Sequence, residues 1–174
     1  VLAALKIQPD SQMLVFSKTS FQHTHIGPET PRSLFFRDDV AVGFVQHGDV
    51  LEFAALDPKQ GAQFYTLDNT PSPTPTFATN GLTCVQCHDS TPTLGVPGLM
   101  VRSVVTDRAG EPLPKGPSLI SDHRSPISQR WGGWYVTGST GDVQHLGNAV
   151  AESQSNPGIL DRHPPMSNLK GVID

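Results

Sequence analysis

Both cysteines of the chain stand three residues apart and are followed at once by a histidine, in Cys84-Val85-Gln86-Cys87-His88. Thiols at this spacing can each add across one vinyl group of a single haem, and the next imidazole can reach the iron. The C-x-x-C-H pattern therefore reads as a covalent haem attachment site. Two other chemistries use a Cys-x-x-Cys pair. A closed zinc site needs four ligands, and the sequence has neither a second Cys-x-x-Cys nor a His-x-x-x-His to complete one. A thioredoxin-type dithiol lies between a buried strand and a helix in a βαβ unit. Cys84 instead follows the irregular stretch Phe77-Ala78-Thr79-Asn80-Gly81-Leu82-Thr83, entered from a Pro/Thr-rich segment. Of the three chemistries, haem attachment alone gives His88 a required role.

The ligand on the other side of the iron separates electron transfer from chemistry on a substrate. Besides His88 there are six histidines (His23, His25, His47, His123, His145, His163) and three methionines (Met13, Met100, Met166). His145 is the first candidate as second metal ligand. It follows the run Arg130-Trp131-Gly132-Gly133-Trp134-Tyr135-Val136-Thr137-Gly138, whose rings could lie flat against a porphyrin while the glycines let backbone approach. Met166 is the alternative, held in the proline-stiffened His163-Pro164-Pro165-Met166. Met100 reads as core. His23 and His25 would share one face of a strand, and a solvated edge is the simpler reading of them than a metal site. The cofactor-binding set is thus Cys84, Cys87, His88, Trp131, Trp134, Tyr135 and Arg130. Arg130 joins it, with Arg102 and Arg124, because guanidinium forks pair with propionates; each arginine also reads as an ordinary surface charge.

The elements that must position these residues divide near residue 70. Gln12 to Ser17 is a short apolar run of strand character. Val40 to Val45 and Val50 to Leu56 flank His47-Gly48-Asp49 and read as a hairpin with glycine at its turn. Asp57-Pro58-Lys59-Gln60-Gly61 turns the chain again into Ala62 to Leu67, giving a three-stranded antiparallel meander over residues 40–67. Asn69 to Pro75, with three prolines among Ser and Thr, reads as an extended linker. Beyond the motif, Pro92, Pro97, Pro112, Pro114, Pro117 and Pro126 exclude long helices and leave room for a turn or two near His88 and near Ser125 to Trp131. The expected class is α+β with high irregular content: a β-rich lobe over 1–70, and a loop-rich haem-binding segment with short helices over 71–174, in one compact unit.

Composition sets the outer limits. The chain has 174 residues, enough for a single core, and at 36% apolar and 16% charged it is not disordered by composition. Its net charge of -4 argues against nucleic acid as a partner. The 16 glycines and 16 prolines predict many turns and short elements. No run is apolar enough for a membrane span, and no second haem motif or internal repeat is present. A leader peptide is expected to have been removed or to lie outside the chain as given.

The Cys84 to His88 motif resembles that of the c-type cytochromes. Over most of the chain, the pattern is similar to exported bacterial cytochromes with no assigned activity. It joins Phe16-Ser17-Lys18-Thr19-Ser20-Phe21-Gln22, then Asp57-Pro58-Lys59-Gln60-Gly61-Ala62-Gln63-Phe64-Tyr65-Thr66-Leu67, the haem motif and Arg130 to Gly138. It departs from the small all-helical cytochromes c, since no amphipathic helix directly precedes the motif and nearly half the chain does. The resemblance implies one covalent haem c and an extracytoplasmic location, in periplasm, at the cell surface or outside the cell. Such relatives continue into a helical region, which implies that the second ligand can also come from beyond Asp174 or from another chain. The expected function is electron transfer by one six-coordinate haem, in an extracytoplasmic redox chain or as a subunit of a larger assembly or filament. Its partners would be redox proteins, other cytochromes or copies of itself. The alternative is a haem enzyme with an open distal site, peroxidase-like or acting on small nitrogen compounds. A gas or redox sensor is a third reading.

Overall fold

The computed structural model describes residues 1–79, 81–137, 139–153 and 155–161. They form two compact units, one of residues 1–13 and 33–100 and one of residues 14–32 and 101 onward.

Strand β1 (Gln12–Val15) begins in the first unit and ends in the second. The first unit then runs through β2 (Arg32–Arg37), β3 (Val40–Phe44), β4 (Val50–Asp57), β5 (Gly61–Asp68) and β6 (Phe77–Thr79), each antiparallel to the one before, and ends with α1 (Gly81–His88) and the loop that follows it. Alternation along β3 to β5 sends Val42, Phe53 and Leu67 to one face, where they close a core with Ile7. Leu2, Leu5, Phe35, Val40, Leu51 and Tyr65 pack round it. Burying each of Ile7, Val42, Phe53 and Leu67 contributes about 1.5–3 kcal/mol. Residues of the opposite parity face away from that core. They include Phe36, Ala41, Ala54 and Phe64, which lie in one register row across β2, β3, β4 and β5.

In the second unit the last residues of β1 pair with β9 (Trp134–Tyr135), Leu14 opposite Tyr135 and Val15 opposite Trp134. Two further antiparallel pairs join β7 (Val101–Val104) to β8 (Ser118–Ser121) and β10 (Val150–Ser153) to β11 (Asn156–Asp161). One core holds Leu14, Phe16, Tyr135 and Val150, and another holds Val105, Leu113 and Ala151 with Leu146 and Leu160. In the first unit the strand order of the large sheet is β6-β5-β4-β3-β2-β1.

This is a β structure, and the α+β class expected from the sequence is incorrect. Among the described residues there are eleven strands in three antiparallel sheets and one α-helix of eight residues. The segment expected to be helix-bearing loop, residues 71–174, holds six of the strands. The prolines from Pro92 to Pro126 leave proline-free stretches over 98–111 and 118–125, long enough for the four-residue strands β7 and β8 of a two-stranded sheet. Every strand of such a sheet is an edge, where a missing N–H is tolerated. β8 starts directly after Pro117. Residues 69–76 link β5 to its antiparallel neighbour β6, so the proline-rich stretch is a hairpin connection inside the first unit. At the β3–β4 turn the left-handed residue is His47 (φ 60°), while Gly48 lies elsewhere in conformational space. His23 and His25 form a 3-10 turn rather than a strand, so two-residue spacing does not place them on one face.

Candidate haem attachment site

Helix α1 gathers the motif. Residues three and four apart share a helix face, so Cys84, Cys87 and His88 line one side of its last turn. Cys84 and His88 are half-buried, Cys87 is exposed, and neither cysteine forms a disulfide. The helix end is closed locally: the Asp89 N–H donates to Val85 C=O at 2.8 Å, and the Ser90 hydroxyl donates to Cys87 C=O at 3.0 Å. A 3-10 turn follows over Thr91–Thr93, with the Ser90 N–H donating to Thr93 Oγ1 at 2.9 Å.

The loop returns to its starting point. The Gly98 N–H donates to His88 C=O at 2.9 Å, and His88 Nδ1 lies 2.8 Å from Gly98 C=O. A carbonyl accepts and cannot donate, so Nδ1 carries the imidazole proton. Nε2 then holds the ring lone pair, the arrangement a ligating histidine requires. The ring of Phe64, from β5, lies against that imidazole with centroids 4.6 Å apart and planes at 44°.

These residues suit a covalently held haem on three counts. Two thiol-bearing side chains lie one turn apart on one helix face. The adjacent imidazole keeps its Nε2 lone pair. The loop beside it leaves apolar side chains in solvent, with Leu94 89%, Val96 52% and Leu99 51% exposed, so an apolar surface is open to cover.

The remaining expected site residues lie in the second unit. Trp134 and Tyr135 are buried there. The Trp134 indole N–H donates to Arg102 C=O at 2.7 Å, and the Tyr135 hydroxyl donates to Pro28 C=O at 2.6 Å. Burial, helped by the charge of Glu29, pushes the Tyr135 phenol up to about 12. Trp131 is half-buried and packs edge-on against Trp134, centroids 5.9 Å apart. The glycines between them serve protein packing. A Cβ at Gly132 would lie 2.7 Å from Val104 O, and one at Gly133, whose φ is +80°, would lie 2.5 Å from Ser17 Cβ. The Arg130 guanidinium donates to the carbonyls of His123 and Ser125 and so holds the 123–130 loop. Arg124 donates to Asp122 and holds that carboxyl down at about 2.

His145 differs from His88 in its proton. The Gly147 N–H donates to His145 Nδ1 at 3.0 Å, so the neutral ring carries its proton on Nε2. Binding iron through Nε2 would require moving that proton and giving up the Gly147 bond. Met166 and His163 lie outside the described residues.

The sequence pattern singled out Cys84, Cys87 and His88 but not Phe64 or Gly98, which lie against His88. Pro97-Gly98 downstream of the motif was a weak local cue, whereas Phe64 had none. No family model, curated protein or solved structure matches the chain. No helix among the described residues is long and apolar enough to cross a membrane.

Proposed function

We propose that this chain carries one haem, which Cys84, Cys87 and His88 would hold, and transfers single electrons between extracytoplasmic redox partners. The observation that carries this reading is the committed Nδ1–H of His88, which leaves Nε2 available beside two thiols on the same helix face. The two thiols would hold the haem as thioethers, each by addition of S–H across one vinyl group, which would need no oxidant. The haem, when bound, supplies the Fe(III)/Fe(II) couple. The Gly98 carbonyl makes the imidazole a stronger donor by accepting its N–H, and a stronger donor favours the oxidised state.

For the second ligand, the tautomer at His145 favours Met166 of the two candidates in this chain. The same observation supports the enzyme alternative, in which that face stays open to peroxide or a small nitrogen compound. Absorption spectra of ferric and ferrous protein, with and without carbon monoxide, separate the two. A low-spin spectrum unchanged by carbon monoxide is expected. A high-spin ferric band with rapid carbon monoxide binding would replace electron transfer by the enzyme reading.

A further inference from the structure

We propose that strand β5, through Gly61 and Phe64, positions the imidazole of His88; the inference rests on His88 being the iron ligand. An imidazole has two side-chain torsions to fix. The hydrogen bond from Nδ1–H to Gly98 C=O restrains rotation within the ring plane, and the Phe64 ring at 4.6 Å restrains tilt out of it.

The Gly98 carbonyl is itself held in place from β5. The Ala62 N–H donates to Pro97 C=O at 2.7 Å, one residue before Gly98. This close approach depends on the absence of a side chain at Gly61. A Cβ there would lie 2.5 Å from Pro97 O and 2.9 Å from Val96 Cγ1, and its φ of +78° is one that few other residues adopt. One path therefore runs from Gly61 through Pro97 to Gly98 and the imidazole proton, while Phe64 acts on the ring directly. Neither residue touches the iron in this scheme. Both are positioning residues, and they orient the ligand before any metal is present.

The test compares the full-length protein with its Phe64→Leu, Phe64→Tyr and Gly61→Ala variants, each produced with and without haem maturation. In the haem-free proteins, nitrogen-15 NMR should show a protected Nδ1–H on His88 in the parent and in Phe64→Tyr. That proton should exchange rapidly in Gly61→Ala, and the His88 ring protons should lose their aromatic upfield shift in Phe64→Leu. In the haem-loaded proteins, the spread of the low-spin g-values should change in Phe64→Leu and Gly61→Ala at equal haem content, with Phe64→Tyr restoring the parent values. If the haem is attached but the g-values and His88 ring shifts are the same in all four proteins, the positioning role is wrong and the haem reading stands. If the parent carries no haem on Cys84 and Cys87, the ligand reading fails and this inference with it.

Discussion

His88 and His145 hold their protons on opposite nitrogens, and in each a backbone group decides which. A carbonyl faces Nδ1 of His88, and an N–H faces Nδ1 of His145. Replacing His145 by alanine is therefore expected to leave the low-spin absorption spectrum unchanged, whereas Met166→Ala should convert it to high spin; the reverse pattern would make His145 the ligand. Replacing Cys84 and Cys87 together by serine should abolish covalent haem, read as the loss of one haem mass from the denatured protein. At this scale the sequence was informative where chemistry is local, because the motif's spacing is itself the signature. It was silent on Phe64, which lies more than twenty residues upstream and meets His88 only through the pairing that places β5 beside α1.

Among the elements, the Arg130 to Thr137 run shows what glycines between aromatic rings do in protein packing. Glycine beside an aromatic permits close approach of any group, and here Gly133 approaches Ser17 while its carbonyl accepts the N–H groups of Phe16 and Ser17. Gly133→Ala should destabilise the second unit by about 2 kcal/mol or more, given the left-handed backbone and the steric overlap, as measured by urea unfolding. Tyr135 on β9 gives a pH signature. The unfolded phenol loses its proton near the usual value of about 10, while the buried one holds it to about 12. Its contribution is therefore complete below pH 10 and declines as pH rises through 12. Tyr135→Phe should remove this alkaline decline at a cost of about 1 kcal/mol for the lost hydrogen bond. Alternation of Val, Phe and Ala made β3 to β5 legible. The short strands after residue 100 were hidden because two to six residues carry too little pattern to distinguish strand from loop.

At the scale of the whole molecule, far-ultraviolet circular dichroism should show a β-dominated spectrum with little helix; strong helical minima would contradict the fold. The sequence reading left room for a turn or two of helix near His88 and near Ser125 to Trp131; α1 supplies about two turns at the first place, and the second holds the 3-10 turn Ile127–Gln129. The chain passes between its two units after Met13, after Arg32 and after Met100. Residues 14–32 are made early, but their partners come late: the bond from Tyr135 to Pro28 spans 107 residues. Bringing such distant residues together slows folding. During synthesis, every residue of the unit that holds Cys84 and Cys87 exists once position 100 has been added, while the other unit must wait for its final strands. A cysteine-reactive probe applied to stalled nascent chains would therefore report a folded α1 before residues 101 onward are complete.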